Sequence, residues 1–535
     1  MNLNQFRSNI IKICAICTIA TGIVSCKFFS QDSNHLPGLP LIGYTFDAEL
    51  TNYGILNVGT KDPVKLSYEK GISDSCLNLT KTSAHRLPLE MYLPLQYNVD
   101  DYSGFSVVLW VMRPEDDTES YIIASSYSDD YLSKYKGWKI ISNSTGTWKW
   151  EMSDGETIWS YNPGIVRQKI NDGKWHMIGF SFNRETKEVH HFFDGINESI
   201  ISVEGCDSLY QPGPITIGGD PNSFEKRKDT FNGLIDEFSY WGKPLNNKEL
   251  KALYEKYSKK NVKEVHLAGN NFTLMTWNIY QGGQYLGKTV GIERIVDIIK
   301  NSGADIVCFQ ETFQGGEKIA DRLGYHFYRR SNNISLISRF PIGSTYNVYK
   351  KEYAGGVQIL LDETRSVLVY PIWLSPQPDI GTYVKNGFTN VDSLLIWEEN
   401  TRGVEMRFIL SEIPRTSRDN STNIIIAGNF NTGSHLDWTE RNKKNKNGLV
   451  IPFSLSKMLE QNGFIDSYRE IHKDEINHPG NTWSPLFKET FSDRIDYIYY
   501  KGPDIKAVKS QVESSHSLGF PSDHALVITE FEINY

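Results

Sequence analysis

The chain has 535 residues, more than one hydrophobic core ordinarily organises, so two domains with short connections are expected. Its 39% hydrophobic, 22% charged and 13% aromatic residues exclude a disordered or low-complexity protein. The formal charge of −8 argues against nonspecific nucleic-acid binding, which needs Lys and Arg to displace phosphate counterions, although a local basic groove can sit in an acidic chain.

Residues 1–25 read as an export signal. Arg7 and Lys12 give a basic start, and "ICAICTIATGIV" is an apolar run too short for an ordinary membrane span. "IVSC", Ile23 to Cys26, resembles the lipobox of bacterial lipoproteins, which implies lipidation of Cys26 and attachment to the membrane through the lipid alone. The resemblance points to the outer membrane. In the polar tether over 26–40, Cys26 is followed by "KFFSQDSN" with no acidic cluster, so periplasmic face and cell surface both stay open. Cys76 and Cys206 can form a bridge in an oxidising compartment or stand as two buried thiols, the second being the expected state; Cys308 reads as a small core residue.

Over 41–257, short alternating runs such as "SGFSVVLWVMRP", "GTWKWEMS", "KWHMIGFSF" and "EVHHFFDG" are split by Gly, Asp, Asn and Pro, a pattern that predicts an antiparallel β-sandwich. "DGKWHMIGFSFNRETKEVHHFFDG", "ITIGGDP" and "FNGLIDEFSYWGKPLNNKELKALY" resemble the laminin-G-like, concanavalin-type jelly roll, ending in a short helix from Asn247 to Tyr257. The resemblance implies a glycan or protein ligand, often with Ca²⁺. Trp148, Trp150 and Trp159 can stack on sugars but are expected in the core, and Asp236 is read as a structural carboxylate. Asp47 and Glu49 could hold Ca²⁺ but show no loop spacing as specific as an EF-hand, which leaves Ca²⁺ in this domain open.

A polar linker, 258–271, precedes a change of rhythm over 272–535, where strands alternate with helices. "FTLMTWNI", "DIVCFQE", "NISLIS", "SVLVYPIWL", "NIIIAGNF", "RIDYIYY" and "HALVITEF" read as strands. Ile292, Ile295, Val296 and Ile299 mark a helix, and "TRGVEMRFILSEI" and "SLSKMLEQNG" two more. Polar residues recur where the apolar strands end: Asn278, Glu311, Asn429, Asn431, Asp496, Asp523 and His524. A sheet can hold such groups rigidly around one cleft.

"TWNI", "QET", "GNFN", "RIDYIYY" and "SDH", in this order, resemble the endonuclease/exonuclease/phosphatase superfamily with its DNase I-like fold. "SHLDW", "FIDSYRE", "HPGNTWSP" and "GFPSDHALV" look like its bacterial phosphodiesterase branch. The resemblance implies a four-layered α/β sandwich and hydrolysis of a phosphoric ester by water with Mg²⁺ or Mn²⁺. It assigns Glu311, Asn278 and Asp523 to the metal and Asn431 to the phosphate or nucleophile. His524 falls on the phosphate with Asp496 as its orienter, and Arg494 is either an anion guide or an ion-pair partner.

Two positions depart from the family pattern. Asn429 stands where Asp is usual and cannot accept a proton; Trp373 stands where many members have His. His435 and Asp437, in the same loop, are candidates to compensate. The expected function is therefore hydrolysis of a phosphoric ester, most simply a phosphodiester, with an impaired pseudoenzyme acting as a binding or adhesion module as the alternative. An exported nuclease is the weaker reading: 28 Lys and Arg against 31 Asp and Glu from Asn270 to Tyr535 disfavour nucleic acid as substrate.

Overall fold

Phe105, Val107, Leu109 and Val111 alternate along the strand Gly104–Met112 and enter the core between two sheets, while Val108 and Trp110 on its other face are covered by Leu250 and Leu253 of the helix Asn247–Ser258. In this computed structural model, residues 35–534 are described apart from 62–65, 84–86, 95, 129–134, 224–228 and 417–421. The export signal, Cys26 and the start of the tether lie outside the described residues. Gly104–Met112 runs antiparallel to both His176–Asn183 and Leu234–Trp241, and a seven-stranded sheet closes the other side of the sandwich. Asn246 caps the helix through the amides of Lys248 and Glu249, and Glu249 returns a bond to Asn246, which fixes where the helix starts.

The expected β-sandwich is present. Trp148 and Trp150 are core residues, and Trp159 packs partly buried against them. Asp236 accepts the backbone amides of Ile72, Ser73 and Glu237. Cys76, Cys206 and Cys308 are separate buried thiols.

The C-terminal half is the expected α/β sandwich. Two six-stranded arrays pack face to face across a core that includes Leu274, Cys308, Leu336, Val369, Ile425 and Ile498. Helices Val290–Ser302 and Gly316–Leu323 cover one outer face; Val404–Thr416 and Ser454–Gln461 cover the other. The strands Asn271–Asn278 and Ile306–Gln310 are parallel, as are Ser366–Trp373 and Ile424–Asn429. Their C-terminal ends meet the beginnings of two antiparallel neighbours, Asp496–Lys501 and Leu526–Ile533. Segments far apart in sequence therefore present their ends at one rim.

The two halves are not strung on a free linker. Ser199–Ile201 of the sandwich pairs in parallel with Phe327–Arg329, making one 14-stranded sheet through both domains. Asp321 accepts the amides of Val166 and Arg167 at 2.9 and 3.1 Å, Arg330 pairs with Glu204 at 2.6 Å, and Thr345 donates to Glu188. The linker itself is pinned: Leu267 donates to the Leu361 carbonyl, and Arg365 holds the carbonyl of Gly269 and the side chain of Asn270.

Candidate active site

Glu311, Trp373, Asn429, Asn431, Asp523 and His524 line one cleft of about 200 Å³ at the shared rim. Gly428 lets the tip of the Ile424–Asn429 strand approach its neighbour, because a side chain there would strike the Ile372 carbonyl. Asn429 then lies in register beside Trp373 on one side and Asp496 on the other. Its side-chain oxygen accepts the Asn431 amide at 2.9 Å, and the Asn431 side-chain nitrogen donates to the Leu374 carbonyl at 2.7 Å.

Glu311 has φ of +55° and Asn431 φ of +53°, backbone conformations that cost a non-glycine residue about 1–2 kcal/mol and persist where surrounding contacts hold them. Two neighbouring segments hold Glu311 at both backbone groups: its amide donates to the Asn333 carbonyl, and its carbonyl accepts from the Gly282 amide. Asn278 donates to the Glu311 carboxylate at 3.0 Å and accepts the Tyr280 amide at the same distance.

The segment Ser522–His524 is fixed from three sides. Ser522 donates to the Asn278 carbonyl, Ser484 donates to that of Asp523, and the Trp277 ring nitrogen donates to that of His524. His524 Nδ1 lies 2.8 Å from Asp496 Oδ2, and Trp483 packs on the imidazole with ring centres 4.9 Å apart. Burial disfavours the imidazolium, but the Asp496 carboxylate outweighs it, with Asp523 and Glu311 adding, and holds the His524 pKa above the ordinary histidine value. Asp496 is placed in turn by Thr482, whose hydroxyl accepts the Ile495 and Asp496 amides.

Desolvation lifts the Asp523 pKa to about 6; the His524 charge opposes the rise and that of Glu311 adds to it. Asp523 Oδ1 is buried without a hydrogen-bond partner. A buried carboxylate oxygen without a donor, beside a second carboxylate, suits a hard divalent cation. No group of three or more His, Cys, Asp and Glu is placed to hold a metal among the described residues; the neighbouring pair Glu311 and Asp523 would give a set of two carboxylates with the remaining positions open. That is the set Mg²⁺ favours, since it keeps several waters.

Three candidate residues lie elsewhere. Arg494 is fully buried between Asp437 and Asp466, at 2.8 Å from each, and Asp437 also takes Arg469 at 2.6 Å. Of the two roles open to Arg494, the ion-pair partner is the one the geometry supplies. His435 turns to Ser456 at 2.8 Å and Glu460 at 3.3 Å, and burial lowers its pKa. Neither His435 nor Asp437 reaches the cleft to replace the base that Asn429 lacks.

Residues that strand-end reading passed over complete the wall. Pro376, Asp379 and Ile380 come from an insertion carrying the helices Ile380–Lys385 and Val391–Glu398, and Phe491 and Asp493 from the loop before Asp496.

Residues 275–524 match the endonuclease/exonuclease/phosphatase family, and residues 91–251 match the concanavalin A-like lectin/glucanases superfamily. An uncharacterized protein of Caenorhabditis elegans is 29% identical over 292 residues, 49% of this chain and 91% of that protein. Among solved structures, TDP2 of C. elegans shares 15% identity over 49% of this chain and 74% of that one, with a TM-score of 0.35. The human nocturnin catalytic domain with bound sulfate shares 18% over 51% of this chain and 97% of that one, also with a TM-score of 0.35. The chain thus joins an N-terminal concanavalin A-like domain to a C-terminal domain of the endonuclease/exonuclease/phosphatase family.

Proposed function

We propose that the protein hydrolyses a phosphoric ester, specifically a phosphodiester, with Mg²⁺ or Mn²⁺. The observation that carries this reading is the convergence of Glu311, the orphaned Asp523 oxygen and the Asp496–His524 pair on one cleft from separate strand ends. Glu311 and Asp523 would hold the cation, with Asn278 orienting the Glu311 carboxylate through its 3.0 Å bond. The cation, when bound, polarises a phosphoryl oxygen and lowers the pKa of a water.

The chain's own groups do the rest. The Asp496 contact fixes hydrogen on Nδ1 of His524, so the charged ring offers Nε2–H to a non-bridging phosphate oxygen and stabilises charge that builds there. Asn429 and Asn431 orient water and phosphate by hydrogen bonding, but neither takes a proton. The proposal extends to an exported protein anchored by lipid on Cys26, with the concanavalin A-like domain binding a glycan or protein surface; the lipobox resemblance and the family of that domain support these parts.

A second reading is favoured by one observation: Asn429 cannot take a proton and neither His435 nor Asp437 reaches the cleft to replace it, so the domain grips metal and phosphate without turnover. The assay that separates the two uses bis(p-nitrophenyl) phosphate with Mg²⁺ or Mn²⁺ on residues 30–535, beside Glu311→Ala and Asn429→Asp. Metal-dependent turnover that Glu311→Ala abolishes supports the hydrolase. Turnover confined to Asn429→Asp refutes it for the natural chain.

A further inference from the structure

The cleft is walled by four carboxylates, Glu311, Asp379, Asp493 and Asp523, and by one histidine, and no Lys or Arg lines it among the described residues. The cations nearby are turned away. Lys446 is buried on Asp493 at 2.6 Å, and Arg494 is enclosed by Asp437 and Asp466. Arg402 is fully buried and donates to the Pro378 carbonyl behind the wall.

Part of the wall is apolar. Trp373 is half-buried beside Asn429, and Pro376, Ile380 and Phe491 continue its surface. We propose that this site selects a phosphodiester of single negative charge, with an uncharged ring-shaped ester group lying on Trp373, and that it rejects polyanions. The proposal rests on the phosphodiester reading of the cleft.

Three physical arguments lead there. A polyanion such as a nucleic-acid strand gains its affinity by displacing counterions with Lys and Arg, and this cleft offers none. Glu311 and Asp523 would be matched by the divalent cation, and no Lys or Arg of the cleft is left to match a second phosphate charge. Further phosphates would meet the Asp379 carboxylate instead, since Asp493 is already paired with Lys446. Finally, about 200 Å³ holds a phosphate and one ring, and an indole face at the edge of a small site binds flat groups by contact area without demanding charge. Trp373 is thus the specificity determinant, in the place where an acid-base histidine would act on the scissile group.

The test measures binding directly, by calorimetry on the full exported chain with Mg²⁺, using two monoanionic probes. Diphenyl phosphate carries rings; dimethyl phosphate does not. In the wild type the diphenyl ester should bind about tenfold or more tightly. Trp373→Ala should erase that difference while leaving dimethyl phosphate binding unchanged, and Trp373→Phe should keep it. Should Trp373→Ala fail to fold, Trp373→Leu gives the same comparison. A twelve-residue oligothymidylate at low salt should not displace diphenyl phosphate.

A ring preference that survives loss of the indole, or displacement by the oligonucleotide, overturns the proposal. Failure of the hydrolase reading looks different: no turnover of bis(p-nitrophenyl) phosphate while the Trp373-dependent ring preference persists. Turnover without that preference leaves hydrolysis standing and removes this inference.

Discussion

Asn429 is buried, and its oxygen already receives the Asn431 amide, so an Asp at this position keeps that bond and changes one atom. A positioned general base contributes about 10²–10⁴ in rate. Asn429→Asp is therefore expected to raise kcat/KM on bis(p-nitrophenyl) phosphate by about a hundredfold or more, with little change in KM; steady-state kinetics check this. Asp496→Asn acts on the neighbouring strand. It replaces the acceptor that fixes the His524 tautomer, so kcat should fall by about a hundredfold or more while the far-ultraviolet spectrum stays native. Arg494→Ala should show in stability. Removing one partner from a buried ion-pair network costs about 3–5 kcal/mol, so urea unfolding should shift strongly while the protein that remains folded keeps its ligand affinity.

The insertion between the strands Ser366–Trp373 and Ile424–Asn429 shapes the cleft through Glu398. This carboxylate is fully buried and accepts from Thr432, in the loop after Asn429, at 2.9 Å and from the Ser454 amide at the start of the helix Ser454–Gln461 at 2.7 Å. Desolvation, only partly offset by these bonds, raises its pKa to about 7 from an ordinary value of 4.5. The folded state therefore holds the proton more tightly than the unfolded chain. The stability this contributes is fully present below pH 4.5 and is lost as the pH rises toward 7, by at most about 1.4 kcal/mol per unit. Glu398→Gln removes that dependence, so its stability relative to the wild type should improve between pH 5 and pH 8 in thermal unfolding. A flat difference across that range contradicts the assignment.

At the scale of the molecule, pairing between Ser199–Ile201 and Phe327–Arg329 closes two sheet edges at once, and Asp321 and Glu188 are buried at the seam. The halves are expected to unfold as one cooperative unit in calorimetry, and two well-separated transitions argue against a shared sheet. Asp321→Ala leaves the Val166 and Arg167 amides without their acceptor and should cost about 1–3 kcal/mol. Residues 272–535 expressed alone expose an unpaired strand edge and should be less soluble than the whole chain.

Much was legible beforehand because it is encoded locally. Alternation in "SGFSVVLWVM" places Val107 and Leu109 in one core, and the spacing of Ile292, Ile295, Val296 and Ile299 gives the helix Val290–Ser302. The strand ends of "TWNI", "QET", "GNFN" and "SDH" named the polar residues of the cleft. Distance decided the rest. Arg494, Asp437 and His435 neighbour the motifs in sequence, yet they sit in loops that turn their side chains elsewhere, Arg494 and Asp437 into one buried ion-pair network and His435 to Ser456 and Glu460. Phe491, Asp379 and the seam at Asp321 have no local signature, because each acquires its role from a segment tens to hundreds of residues away. The sequence alone thus determined the two domains and the chemical types at the strand ends, through periodicity and motif order. Only the tertiary structure decided which charges face the cleft, which are neutralised behind it, and that one sheet runs through both domains, since burial and pairing are set by contacts between distant segments.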